Sequence, residues 1–216
     1  MPEANEERPV SRGAEASLHA VEWLGLPALR KDRETKSYRP KNLDERLKRE
    51  RTRNEVRLLT EARRLGVRTP IVYDVDLLNH RLILEQLPGP TLKELLESAK
   101  DNVALVEAPV RALGKAIGRL HSGGVSHGDL TSSNILYPEG AEGDPALLDL
   151  SMGSRNAGVE ERGIDLHLVE EDLKALHPKG DVLFRSFLEG YAKGNPSGQA
   201  EVRKRAKEIR GRVRYS

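Results

Sequence analysis

The sequence predicts a small α+β fold built as two lobes, a β-rich N-terminal lobe with one long helix and a trimmed α-helical C-terminal lobe. Three observations predict it. Strand-like segments and one long helical segment fill the first 87 residues. A Pro/Gly break, QLPGP at Gln86–Pro90, interrupts the chain near its middle. Beyond it, apolar residues recur at helical spacing, except across HGDLTSSN (His127–Asn134) and LLDLS, which holds Asp149. The lobes are therefore placed at residues 1–87 and 88–216, with a basic tail at 203–216.

The elements follow in order. Met1–Pro9 is polar. Val10–Ala16 and Ser17–Leu24 read as strand, loop and strand, with Gly13 in the loop. A glycine there lets backbone N–H groups approach a phosphate, although a plain β-turn explains it equally well. Leu26–Lys31 reads as a third strand that ends in Lys31. Arg30 and Arg33 stand close enough to exchange places with it. Leu43–Leu65 reads as a long helix with Leu43, Leu47, Val56, Leu59 and Ala62 as its apolar stripe, stopped by Gly66. Pro70–Asp76 and Arg81–Glu85 form a hairpin around Asn79-His80, followed by the hinge at Gln86–Pro90. Thr91 caps a helix at Leu92–Ser98 with Glu94 in its first turn. Val103–His121 is the main helix of the second lobe, stopped by Gly123-Gly124. Ile135–Tyr137 and Ala146–Leu148 are short strands. Helices follow at Arg162–Ala175 and Asp181–Lys193.

Composition narrows the function classes. A chain of 216 residues holds one large domain or two small lobes around a cleft. It has no cysteine, which excludes disulfides and cysteine-based metal or nucleophile chemistry. No stretch approaches the ~20 apolar residues of a membrane span, and the N-terminus lacks an apolar signal core. A soluble, cytoplasmic protein with no membrane partner is expected. The net charge of +2 says little, but its distribution says more: Arg203–Ser216 carries seven basic residues and one acid. Such a run suits RNA phosphates, with a steeply salt-dependent affinity. Lys31–Arg53 is also rich in basic residues, but five acids reduce its local field.

The chemistry centres on Asp129, Asn134 and Asp149. Two short strands deliver an Asp, an Asn five residues later and a second Asp to one place. Phosphoryl transfer needs such parts: a carboxylate to accept or orient the hydroxyl proton, and oxygen ligands for Mg²⁺. Protein kinases carry the same logic as H-R-D-x-x-x-x-N followed by D-F-G. Each residue alone is an ordinary turn or strand-end residue. The three together, behind a helix ending in Leu120-His121, point to chemistry.

HGDLTSSN resembles the catalytic loop of the small atypical kinase of the KEOPS/EKC complex, the RIO-related PRPK family, and the resemblance covers nearly the whole chain. It implies a small bilobal protein-kinase-like fold and an atypical Ser/Thr kinase or ATPase that uses ATP and Mg²⁺. Ser11–Ala16 resembles the family's SxGAEA loop, which places Gly13 over ATP. Lys31 aligns with the lysine that contacts the α- and β-phosphates, and Glu55 with its helix partner. Glu85 and Leu87 fall where hinge backbone groups meet adenine. Asn134 and Asp149 align with the metal ligands and Asp129 with the base. Asp165, in GIDL, aligns with an Asp that braces the catalytic loop. The resemblance further implies a role in forming threonylcarbamoyladenosine in tRNA, with an ASKHA-fold threonylcarbamoyl-transferase subunit, a small activating KEOPS subunit and tRNA as partners, the tRNA reached through the basic C-terminal tail.

The chain departs from the family's pattern in two places. D-F-G reads Asp149-Leu150-Ser151, so Leu150 is expected to fill part of the Phe pocket and the turn to differ in flexibility. E-D-K-A-V-D reads Glu160–Asp165 without the lysine. The single-glycine loop argues for slow turnover. Two rivals stand beside this reading. One is a small-molecule kinase of the aminoglycoside/choline type, which needs a larger C-terminal lobe. The other is a pseudokinase scaffold or tRNA-binding module, which has no need of Lys31, Asp129, Asn134 and Asp149 together.

Overall fold

A computed structural model describes residues 11–12, 16–140 and 143–213. Gly13 lies outside the described residues. The chain first builds a five-stranded antiparallel sheet in the order β1-β2-β3-β5-β4, from β1 (Ser11–Arg12), β2 (Ala16–Trp23), β3 (Leu26–Arg33), β4 (Val72–Asp76) and β5 (Arg81–Glu85). Leu24 and Gly25, both at positive φ, make the tight β2–β3 turn. His80, also at positive φ, closes the β4–β5 hairpin. The two-residue period of a strand fixes which residues of β3 face the cleft. Leu29 and Lys31 line the cleft, while Arg30 lies on the opposite face and pairs with Asp32 at 2.8 Å.

Helix α1 (Lys41–Arg64) differs from its expected pattern. Leu59 and Ala62 are buried as anticipated, but Leu43 is exposed and Leu47 only half-buried. The inward face of the first half is instead polar: Asp44, Lys48, Thr52 and Glu55. These residues recur at three- and four-residue spacing, so the helical period is right but its buried stripe is made of paired charges. Lys48 Nζ lies 3.3 Å from Asp44 and 2.6 Å from Glu45, and His80 reaches Glu45 at 2.7 Å.

Residues 86–91 lead from the sheet to α2 (Leu92–Ala99). Thr91 and Glu94 form a reciprocal capping box: the Thr91 hydroxyl accepts from Glu94 N–H, and Glu94 accepts from Thr91 N–H. The expected helix at Val103–His121 divides. Val103–Leu105 is a 3-10 turn capped by Asn102, and α3 begins at Glu107, running to Ser122. Pro109 lies in its first turn, where no intrahelical N–H is needed. Four short strands follow: β6 (Val125–Ser126), β7 (Ile135–Leu136), β8 (Ala146–Leu147) and β9 (Ser154–Arg155). β7 pairs with β8 and β6 with β9.

Helices α4 (Val159–Leu176), α5 (Gly180–Gly194) and α6 (Gln199–Val213) complete the fold. α3 and α5 pack backbone to backbone. A Cβ at Gly114 or Gly118 would strike the α5 main chain, and one at Gly190 or Gly194 the α3 main chain. The glycines at four-residue spacing on both helices allow that approach. The basic tail proves to be mostly α6. It buries Val202, Ala206 and Ile209, and its arginines reach α4: Arg205 and Arg212 to Glu160, and Arg210 to Glu170. One continuous apolar core runs from Leu58, Leu59 and Leu84 through Leu113 and Ile117 to Phe187 and Val202. No helix among the described residues is long and apolar enough to cross a membrane.

Candidate active site

The candidate residues meet in a cleft of about 470 Å³ between the sheet and the segment 129–149. Leu18, Leu29, Leu84, Leu87, Leu136 and Leu148 supply its apolar lining. Lys31, Glu55, Asp129, Asn134 and Asp149 supply its polar one. An apolar cleft on which several titratable groups converge is what marks a site for chemistry.

Lys31 is the hub. Its Nζ lies 2.7 Å from Glu55 Oε1 and 2.9 Å from Asp149 Oδ2, so a strand, a helix and a turn meet on one ammonium. Arg33, two residues on and therefore on the same face of β3, reaches the other Glu55 oxygen at 2.5 Å and the Thr52 hydroxyl at 3.2 Å. Glu55 thus holds two buried cations. Arg33 is not a rival for the place of Lys31 but a second counter-ion, a role that sequence reasoning missed. The strand period is the available signal, since Lys31, Arg33 and Glu55 all point inward.

Asp149 sits at φ +50, in the left-handed region that costs a non-glycine residue about 1–2 kcal/mol. A strained backbone held in place at the end of a strand is a mark of a functional turn. Burial alone would raise the Asp149 carboxyl. The charge of Lys31 and hydrogen bonds from Ser151 and Lys31 outweigh it and hold the group well below the usual carboxylate range. Leu150 is fully buried, as expected for the Phe position. The Asn54 side-chain amide donates to the carbonyls of Ser151 (3.1 Å) and Gly153 (2.8 Å). The turn is clamped to α1. Sequence reasoning missed Asn54, whose only signal is its place beside Glu55.

The loop at 127–134 is held from below. Asp165, on α4, accepts from His127 N–H (2.6 Å), Gly128 N–H (2.8 Å) and His121 Nε2 (3.0 Å). This is the bracing expected of it. Burial would raise its carboxyl, but the hydrogen bond and charge of His121, with the help of His127, keep it lowered. Asp172, about two turns further along α4, accepts from Ser132 N–H at 2.7 Å. His127 is buried, and desolvation lowers its pKa despite the carboxylates of Asp165, Asp149 and Asp129. Gly128, at φ +83, passes so close to Met152 that a Cβ would overlap the Met152 carbonyl.

Asp129 is exposed in the cleft, and the Asn134 amide nitrogen donates to its carboxylate (3.0 Å) and to its carbonyl (2.9 Å). Asn134 therefore spends its N–H groups on Asp129 and keeps its carbonyl oxygen, the only one of its side-chain polar atoms able to bind a cation. With the Asp149 carboxylate this donor set suits Mg²⁺, which takes one or two protein oxygens and completes its shell with phosphate and water. Among the described residues no cluster of three or more acids or histidines forms a self-sufficient metal cage. At the hinge, the Glu85 N–H donates to the Ile71 carbonyl (2.8 Å), and its side chain accepts from Ile71 N–H (3.0 Å). A backbone donor to a ligand on this segment would then come from Leu87, not Glu85.

Residues 7–179 match the model of the lipopolysaccharide kinase (Kdo/WaaP) family. The chain is 34 % identical over 215 residues to the KEOPS complex subunit Bud32 of Pyrococcus abyssi, covering 95 % of each. It is 34 % identical over 208 residues to the probable bifunctional tRNA threonylcarbamoyladenosine biosynthesis protein of Methanothermobacter thermautotrophicus, and 38 % identical to that of Methanoculleus marisnigri. The chain spans 36 % of the length of each of these two relatives. In structure it resembles the Rio2 kinase of Chaetomium thermophilum, solved as an ADP/Mg²⁺–phosphoaspartate complex, with a TM-score of 0.62 at 15 % identity, covering 95 % of this chain and 70 % of that one. That likeness shows a protein-kinase-like fold.

Proposed function

Because the chain belongs to the family of the KEOPS subunit Bud32, within the kinase-like group of the Kdo/WaaP model, we propose that it is the Mg-ATP-dependent kinase or ATPase of a KEOPS-type assembly that supports threonylcarbamoyladenosine formation in tRNA. The observation that carries the reading is the convergence of Glu55 and Asp149 on the Lys31 ammonium, with Asn134 and Asp129 in the same cleft.

In this reading residues 1–87 and 88–216 act as two lobes, and the leucines between them hold the base of ATP. Lys31, fixed by Glu55, meets the α- and β-phosphates. Asn134 and Asp149 would hold Mg²⁺, which supplies neutralisation of the charge developing on the transferred phosphoryl group. Asp129 orients the attacking water or hydroxyl and takes its proton as the bond to the leaving ADP oxygen breaks. Asn134 fixes the Asp129 carboxylate for that task. Leu87, with the Glu85 carbonyl, faces the adenine edge.

Only nine residues, 150–158, separate Asp149 from α4. Ordinary protein kinases use a much longer segment there as a platform for a peptide. Its shortness favours hydrolysis coupled to a partner over phosphorylation of many Ser/Thr substrates. The partners proposed are an ASKHA-fold threonylcarbamoyl-transferase subunit, a small activating subunit and tRNA, in the cytoplasm.

The test is phosphate release from Mg-ATP by the purified chain, with and without the transferase subunit and tRNA, and with Asp129→Asn and Asp149→Asn as controls. Release that needs both carboxylates and rises with both partners supports the proposal. Release unaffected by the partners would favour an independent kinase, and none from folded protein a scaffold.

A further inference from the structure

We propose that the outward face of α1 is a docking surface for the phosphate backbone of structured RNA. The choice of RNA among polyanions rests on the tRNA-linked function just proposed; the phosphate-binding chemistry rests on the helix itself.

The sequence of α1 holds nine basic and five acidic residues, a mixture that suggests a weak field. The fold separates them. Asp44 and Glu55 are buried, and Glu45 is committed to Lys48 and His80. Of the two remaining acids, Glu50 lies 3.8 Å from Arg46 and Glu61 3.4 Å from Arg64. Arg49, Arg53 and Arg57 are exposed and have no carboxylate within ion-pairing distance among the described residues. At 3.6 residues per turn, Arg46, Arg53, Arg57 and Arg64 all lie within about 20° of the direction opposite Glu55. They form a stripe about 27 Å long, and Arg49 flanks it one turn before Arg53.

Three properties of this stripe argue for phosphate. Arg49, Arg53 and Arg57 stand four residues apart, where like charges destabilise a helix by a few tenths of a kcal/mol per pair. Several other surface arginines are paired with acids: Arg111 with Glu107 and Glu189, Arg68 with Glu139, and Arg205 with Glu160 and Glu208. Neighbouring arginines in such a row are ~6 Å apart, a spacing of the same order as successive phosphates along one strand. All the residues of the stripe are arginine, whose planar fork matches a phosphate better than a lysine does. The exposed lysines of α6, Lys204 and Lys207, are fewer and sit among arginines already paired with α4.

The experiment is fluorescence-anisotropy binding of a labelled tRNA transcript to the full chain across a salt series, for the wild type, the R49E/R53E/R57E variant and K204E/K207E. We expect the α1 variant to bind at least tenfold more weakly and its salt slope to fall by about 3, near 0.9 for each phosphate no longer neutralised. K204E/K207E should weaken binding less than the α1 variant does. Matching melting temperatures establish that each variant is folded. Unchanged affinity in the α1 variant overturns the assignment, as does weakening confined to K204E/K207E. Poly-L-glutamate that displaces the RNA at equal charge overturns it in favour of an acidic protein partner. A wild-type chain that fails to bind RNA yet still gains thermal stability from Mg-ATP overturns the inference and leaves the nucleotide site standing.

Discussion

The side-chain amide of Asn54 donates to the Gly153 carbonyl at 2.8 Å, and so ties the helix that carries Glu55 to the turn that carries Asp149. The same amide reaches the Ser151 carbonyl at 3.1 Å. Glu55 and Asp149 also share Lys31, so the two sides of the cleft are joined twice, once by charge and once by a neutral clamp. Asn54→Ala removes the clamp and leaves Lys31, Glu55 and Asp149 in place. We expect a stability loss of about 1–2 kcal/mol for the two hydrogen bonds. Mg-ATP should then produce a smaller thermal shift, and phosphate release should slow several-fold. An unchanged Mg-ATP response would show that the turn holds its shape without α1.

Glu55 and Lys31 should not be equivalent in stability. Glu55 balances both Lys31 and Arg33, and all three side chains are at most 6 % exposed. Glu55→Ala leaves two buried cations short of a partner and should cost about 3–5 kcal/mol. Lys31→Met leaves Arg33 to neutralise Glu55, so it should cost well under half as much while abolishing Mg-ATP binding. Urea unfolding of the two variants checks this ordering. Equal destabilisation would mean that Arg33 contributes nothing to Glu55.

Gly128 stands where ordinary protein kinases carry arginine. Its φ of +83 and its approach to the Met152 carbonyl leave no room for a side chain. Gly128→Ala should lose about 3 kcal/mol or more, from left-handed strain and from displacing the segment at 151–153. Gly128→Arg should fail to fold stably. A Gly128→Ala protein that melts with the wild type would refute the close crossing.

Acid sensitivity should come in two windows. His127 is buried with a lowered pKa, so below its ordinary value of 6.5 the unfolded chain takes a proton that the folded chain refuses, and stability falls. Asp165 has a carboxyl lowered from 3.8, so its contribution is full above that value and lost as pH falls through its folded value. The stability gap between the wild type and Asp165→Asn should be level from about pH 5 upward and shrink below pH 3.8, as measured by melting temperature against pH. A gap that widened on acidification would reverse the assignment.

Much of the fold can be read from local chemistry. The β4–β5 hairpin, the Thr91 cap and the helices of the second lobe each announce themselves within a few residues, through turn residues, capping geometry or apolar period. The cleft residues can be read because Asp129 and Asn134 lie five apart on one loop. What escapes depends on partners distant in sequence. Asn54 acts on residues 97 and 99 positions away. Arg33 looks like a neighbour easily confused with Lys31 until strand and helix meet on Glu55. The inward face of α1 escapes a hydropathy pattern because paired charges occupy positions that such a pattern assigns to leucine. The basic residues of α6 hide three buried apolar ones, Val202, Ala206 and Ile209, whose spacing shows the helix only once α4 is there to receive it.

The ammonium of Lys31 already rests on Glu55 and Asp149, and Asn54 already grips the turn. In a kinase governed by a switch, that assembly is what a phosphorylated loop must bring about. Here the work is done during folding, by residues that no modifying enzyme needs to touch. In the function proposed above, the output of such an assembly would follow whatever is delivered to it. Under that proposal, control would pass from covalent signalling to supply: how much nucleotide is present, and which companions are in place when it arrives.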